Sequence, residues 1–307
     1  MSVINVKQIS FGSSKGRSNV SNERGSALII TLLLITILVG LVVNFVYEVY
    51  IDSSAVSNWS NAQRASYIAK SGQNIAASFI KQINLYPPSN IREIALPVVR
   101  DFGPGSTLVV TVEDENSKIN INYILNKSGT FDPLLSLQKL FEYLKINPDI
   151  ALLIADWIDS DSDPRLAGSE DFAKNGPLWS VDELKLISGI DGEVFDKIEP
   201  YVTVANPMIL WKINMNTAEL PVLISLSEQM TETIAEQIVS YRQDTPFEKL
   251  TDVSSVIGET VWGQISVNVK LKSNLFRVIT RATVNDIPRI IESVMDNKSK
   301  IYFWREV

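Results

Sequence analysis

Asn22-Glu23-Arg24-Gly25-Ser26-Ala27-Leu28-Ile29-Ile30 is the stretch on which the reading of this chain turns. A basic leader ends in Gly25, and an apolar run begins on the next residues. An ordinary secretory signal has the opposite order, with its cleavage site beyond the apolar stretch. The order here implies a chain that is clipped on the cytoplasmic side of a membrane and stays attached through its own helix.

Toward the N-terminus, Lys7, Lys15, Arg17 and Arg24 stand against Glu23, a net charge of +3 for residues 1–25. The whole chain carries −7, which leaves −10 for the rest. Positive charge beside an apolar helix keeps that end cytoplasmic. An acidic body argues against nucleic acid, whose phosphates need a basic face. The chain has no cysteine and no histidine, so thiol nucleophiles, disulfides, Cys/His zinc sites and histidine acid–base chemistry are excluded.

Toward the C-terminus, Ala27–Val46 reads ALIITLLLITILVGLVVNFV, and no charge occurs before Glu48. Twenty residues at helical rise span about 30 Å, the thickness of a hydrocarbon core. Tyr47 and Tyr50 fall where an aromatic belt would lie. No proline interrupts the chain from Ser26 to Tyr86, and Pro87-Pro88 ends any helical run. Val49, Val56, Trp59, Ala62, Ala65, Ile68, Ala69, Ala76, Phe79, Ile80 and Ile83 recur at helical spacing, with Arg64, Lys70, Gln73 and Lys81 off the stripe. This predicts one long helix over 26–86, membrane-spanning over about 27–46, whose later part packs on the following domain.

Such a helix after such a leader resembles the type IV pilin-like subunits. The resemblance implies cleavage by a prepilin peptidase between Gly25 and Ser26, with N-methylation of Ser26. Most of that superfamily has a glutamate at the fifth residue after the cut, where it neutralises a neighbour's amino terminus. This chain has Ile30 there. A carboxylate in hydrocarbon is costly without a partner, so its loss suits a subunit with no neighbour above it.

After Pro104-Gly105, STLVVTVE (106–113) and KININY (118–123) predict a β-hairpin turning at Asp114-Glu115-Asn116. Leu275–Val284, Arg289–Met295 and Lys300–Arg305 predict a three-stranded meander with turns at Asn285-Asp286 and Asp296-Asn297-Lys298. Between them, residues 124–272 carry helical periodicity. The expected fold is therefore α+β. A long N-terminal helix packs on an antiparallel sheet built from a core, 87–123 and 273–307, that is interrupted by a large inserted all-α domain.

Within the insertion, Asp182–Ile198 and Ala218–Tyr241 read as two copies of a helix-hairpin-helix-like unit. In DNA-binding proteins such hairpins hold phosphate on backbone amides. Here Asp191 would repel it, and Ser227-Glu228-Gln229 supplies no glycine, so the units read as packing modules.

Asp156-Trp157-Ile158-Asp159-Ser160-Asp161-Ser162-Asp163-Pro164 continues to Gly168-Ser169-Glu170-Asp171. Counting from Asp159, the residues Asp161, Asp163 and Glu170 fall at positions three, five and twelve of an EF-hand loop. Position six is Pro164, which cannot take the turn that glycine makes there. The alternative is a solvated acidic loop with Asp159 or Asp163 capping helices. Six carboxylates within sixteen residues repel unless a cation joins them, and hard oxygen ligands select Ca²⁺. The calcium candidates are Asp159, Asp161, Asp163, Glu170 and Asp171. A paired-carboxylate hydrolase is the third reading, and no substrate cleft is evident nearby.

Blocks along the whole chain resemble the minor pseudopilin K family of the type II secretion system. They are Arg24–Leu28, Asp114–Asn120, Asp156–Asp159, Gly168–Asp171, Ile213–Ala218, Asn274–Val278 and Trp304–Glu306. The resemblance implies a non-enzymatic subunit at the tip of a periplasmic pseudopilus, anchored once in the inner membrane of a Gram-negative cell. Its implied partners are minor pseudopilins I and J, the major pseudopilin, the inner-membrane assembly platform and prepilin peptidase, with calcium bound in the helical domain. The competing class is a membrane-anchored DNA receptor of a competence pilus.

Overall fold

The computed structural model describes residues 20–83, 85–98, 102–205 and 210–307. Lys7, Lys15 and Arg17 of the basic leader lie outside the described residues. The chain divides between residues 60 and 61 into two compact units.

The first unit is helical. Helix α1 (Val20–Ile83) starts ahead of Gly25 rather than after it, and stops short of residue 86. A single interior glycine costs a helix only about 1 kcal/mol, so Gly25 does not break it. Leu28 to Phe45 keep their aliphatic and aromatic side chains exposed. Thr31 and Thr36 donate their hydroxyls to Leu28 O (2.9 Å) and Leu33 O (2.8 Å), which leaves no unpaired hydroxyl hydrogen facing lipid. Among the described residues this is the helix long and apolar enough to cross a membrane, its most apolar 18-residue stretch having a mean hydropathy of 2.9.

In the second unit, the later part of α1 buries Ala62, Ala65, Ile68, Ala69, Ala76 and Ile80 against a sheet. Val56 and Trp59, expected on this stripe, are exposed instead. Gln73, expected off it, is buried. Its amide donates to Val278 O, Thr280 Oγ1 and Ile291 O, and accepts from Ser293 Oγ at 2.6 Å. A buried amide survives because every polar atom is used. The helix ends where Leu85 N–H bonds Gln82 O, just before Pro87-Pro88 removes the donors a further turn requires.

The chain then forms β1 (Glu93–Leu96) and β2 (Ser106–Asp114). The inserted domain follows, in two halves. The first runs β3 (Ile119–Asn120), α2 (Pro133–Tyr143), α3 (Ile150–Ile158), a 3-10 turn (Val181–Leu186), α4 (Gly192–Ile198) and β4 (Val202–Thr203). The second runs β5 (Ile213–Asn214), α5 (Leu220–Ser225), α6 (Glu232–Asp244), α7 (Leu250–Ile257), α8 (Glu259–Ile265) and β6 (Val269–Lys270). Finally β7 (Leu275–Val284), β8 (Ile287–Asp296) and β9 (Ile301–Glu306) form the expected meander.

Among the described residues, five strands make one antiparallel sheet in the order β1-β2-β7-β8-β9. Asn285 and Asp286 both take positive φ, 46° and 66°, and so close the tight β7–β8 turn that the sequence predicts. The hairpin expected between 106–113 and 118–123 does not form. Asp114 Oδ1 accepts from Asn116 N–H at 2.8 Å and starts a 3-10 turn, which sends the chain away from the sheet. β2 pairs with β1 and β7, and Ile119-Asn120 pairs in parallel with Val202-Thr203.

Each half of the insertion closes by pairing its first strand in parallel with its last, Ile119↔Val202 and Ile213↔Val269. The two opening strands share a pattern, Lys118-Ile119-Asn120-Ile121-Asn122 and Lys212-Ile213-Asn214-Met215-Asn216. Asn122 donates to Leu178 O and Ala205 O and accepts from Leu178 N–H. Asn216 repeats this clamp on Phe247 O, Leu271 O and Phe247 N–H. Gly189 (φ 85°) and Gly258 (φ 83°) turn the corresponding hairpins, a conformation glycine takes without strain. The counterpart of 182–198 is therefore the α7–α8 pair, and not 218–241 as the sequence implied.

Candidate metal centre

Helix α3 buries Ile150, Ala151, Ile154, Ala155 and Ile158, and this packing fixes its last turn. Asp156 lies in that turn, fully buried, and Asp159 caps the helix C-terminus, nearly as buried. Two acids at the negative end of a helix dipole are each disfavoured unless a cation joins them. The loop beyond folds back and brings Glu170 to the same place. Ligand atoms of Asp156, Asp159 and Glu170 all lie within 4.8 Å of one another.

Arg165 and Ser169 complete the cluster. The Arg165 guanidinium bonds both Asp156 Oδ1 and Asp159 Oδ2, its backbone N–H donates to Asp156 Oδ2 at 2.8 Å, and the Ser169 hydroxyl donates to that same oxygen. Burial alone would raise the Asp156 carboxyl, but the bonds from Ser169 and Arg165 outweigh it and hold its pKa below the ordinary range. Glu170 moves the other way, raised by burial and by the charges of Asp159, Asp156 and Asp161.

Asp159 Oδ1 and both carboxylate oxygens of Glu170 are buried without a hydrogen-bond partner among the described residues. Buried polar atoms are normally paired, and unpaired anionic oxygens are the most costly kind. Three such oxygens beside one another fit a hard cation of the Ca²⁺ type, which takes carboxylate, carbonyl and water oxygens in flexible geometry.

Of the residues expected as ligands, the structure brings together Asp159 and Glu170. Asp161, Asp163 and Asp171 are exposed and lie outside the cluster, with Asp161 Oδ1 accepting from Asp163 N–H at 3.0 Å. The loop does not follow EF-hand spacing, in keeping with Pro164 at the position where glycine turns such a loop. Asp156, absent from the expected ligands, is three residues before Asp159. That is one helical turn, a spacing that places two side chains on one face. Elsewhere, Gly25, Ser26 and Ile30 are exposed on α1. Asp191 caps α4 by accepting from Val194 N–H at 2.9 Å, so a carboxylate occupies the hairpin position where phosphate would sit.

The inserted domain decides the family. Residues 117–207 match the first-domain model of type II secretion system protein K, and 213–266 match a second model of that protein. These two segments are the two structural halves of the insertion. The chain belongs to the protein K family of the type II secretion system. As a member of that family it is a minor pseudopilin. It is 24% identical over 220 residues to type II secretion system protein K of Klebsiella pneumoniae, covering 64% of this chain and 67% of the relative. The corresponding protein of Pectobacterium carotovorum is 22% identical over 250 residues, covering 72% and 76%. A crystal structure of the GspK–GspI–GspJ complex from enterotoxigenic Escherichia coli contains a chain with the same fold. It superposes with a TM-score of 0.63 at 18% identity, over 82% of this chain and 99% of that one.

Proposed function

We propose that this minor pseudopilin stands at the tip of the type II secretion pseudopilus. There it initiates and caps assembly together with minor pseudopilins I and J for protein export across the outer membrane. The observation that carries this reading is Ile30 within an apolar helix that has no charge from Ser26 to Tyr47. A subunit inside a filament needs a carboxylate to meet its neighbour's amino terminus, and a terminal one does not. The GspK–GspI–GspJ assembly of the structural relative supports the choice of partners. The basic leader and single apolar helix support one inner-membrane pass with the body in the periplasm. Processing by prepilin peptidase then falls between Gly25 and Ser26, and Ser26 is the residue methylated. The major pseudopilin and the inner-membrane platform complete the set of contacts, and the role is structural rather than enzymatic.

The test is assembly. Full-length chain coexpressed in membranes with minor pseudopilins I and J of its own system, then extracted in detergent, is expected to elute as one stable ternary complex. Three separate species would overturn the proposal.

The metal reading belongs to the same proposal. Asp159 and Glu170, with Asp156 beside them, hold calcium and tie the end of α3 to the loop that follows. Millimolar calcium is expected to raise the thermal midpoint of the full-length chain over the value in chelator, and no change counts against the site.

A further inference from the structure

We infer that Arg165 is a resident counter-ion that competes with a metal for these carboxylates and so lowers the affinity of the centre. This rests on the calcium reading above. The guanidinium lies between Asp156 and Asp159 and satisfies one oxygen of each. The opposite oxygen of Asp159, in a residue only 8% exposed, has no partner among the described residues, and neither do the two of Glu170. One guanidinium against three carboxylates leaves a formal charge of −2, so Arg165 supplies part of the neutralisation a divalent ion would complete.

The two kinds of group are anchored differently. Asp156 and Asp159 come from the packed end of α3, where Ile154, Ala155 and Ile158 are buried in the core. Arg165 comes from the loop, and its side chain is 32% exposed. It can leave toward solvent without disturbing the core. A unit charge a few ångströms from a bound cation opposes it strongly even at an effective dielectric of about 20. Arg165 therefore stabilises the metal-free loop and works against metal binding with the same contacts. A residue that merely oriented the ligands would act in the opposite direction, because its loss would weaken binding.

Calcium titration of the full-length chain in detergent, by calorimetry, separates the two. Arg165→Gln is expected to bind calcium at least about tenfold more tightly than the native chain. Its metal-free thermal midpoint falls, and the rise that calcium produces grows. Arg165→Lys keeps the charge but cannot bridge two carboxylates, so it binds more tightly than the native chain by a smaller factor. The lysine variant carries the test alone if the glutamine variant does not fold. Equal or weaker calcium binding in the variants, with the native chain still binding, overturns the competition and makes Arg165 a positioning residue. No calcium heat in any of the three proteins, with midpoints indifferent to calcium, removes the metal reading itself and this inference with it.

Discussion

At the scale of single residues, the inserted domain depends on two asparagines that lie apart in the sequence and do the same work. Asn122 and Asn216 each bond three backbone groups of distant loops, at 2.8–3.1 Å. Asn216→Ala would strand the amide of Phe247 and the carbonyls of Phe247 and Leu271 in a buried site. Each unsatisfied group costs about 1–3 kcal/mol, so the expected loss is about 3 kcal/mol or more in urea unfolding of the chain, and Asn122→Ala should lose a similar amount. In the sequence these asparagines look like the polar half of an alternating strand. Nothing local shows that both amides turn inward. Gly72 is a second such residue. A Cβ there would lie 2.9 Å from Thr280 Cγ2 and 3.0 Å from Val110 Cγ2, so glycine lets α1 approach the sheet. Gly72→Val is expected to destabilise the body by about 1–3 kcal/mol through overpacking, read as a lower thermal midpoint.

At the scale of elements, the end of β2 shows how a local pattern can be correct and its pairing still differ. The alternation of 106–113 makes a strand, and Asp114-Glu115-Asn116 makes a turn, as the sequence predicts. The partner strand is chosen by charge and packing instead. Glu115, fully buried, is bonded by Arg277 Nε at 2.8 Å and by the Thr203 hydroxyl, with Lys118 Nζ at 3.6 Å. Arg277 in turn reaches Glu292 on β8, and Lys118 reaches Glu113 at 2.9 Å. This network joins the sheet to both ends of the first inserted half. Burial by itself would raise the Glu115 carboxyl, but the charges of Arg277 and Lys118 outweigh it and hold it at about 2, against 4.5 unperturbed. A carboxylate depressed on folding stabilises the fold fully above its unfolded pKa. Its contribution is then lost as pH falls from about 4.5 to about 2. Neighbouring Asp114 acts in the opposite sense, because burial raises it despite its bonds to Ser273, Thr217 and Asn214. Its contribution is fullest in acid, below its unfolded pKa, and is lost as pH rises, which partly offsets the loss at Glu115. Unfolding free energy is therefore expected to drop between pH 4.5 and 2, and Arg277→Met should flatten that drop while lowering stability at pH 7. Urea titrations across this window check both. An unchanged slope in the variant would show that Arg277 does not hold Glu115 ionised.

At the scale of the whole molecule, the N-terminal junction and the body answer to different constraints. Gly25 is exposed, and a Cβ at that position would meet nothing within 4 Å, so folding imposes no demand for glycine there. Gly25→Val is accordingly expected to leave the body folded while blocking processing and secretion together. Mature-sized protein from that variant on a gel would contradict cleavage at Gly25. The apolar span, the stop at Pro87-Pro88, the C-terminal meander and the α+β class were determined by the sequence itself. Each is written in hydrophobic period, charge order or turn residues within a few positions of one another. Only the tertiary structure decided that β2 pairs with β7 across the insertion, that the insertion is a duplicated unit closed by parallel strand pairs, and that Asp156 joins Asp159 and Glu170 while Asp161, Asp163 and Asp171 face solvent. Those choices depend on which distant backbone groups and charges are left to be satisfied once the cores have packed, and no local pattern of residues carries that information.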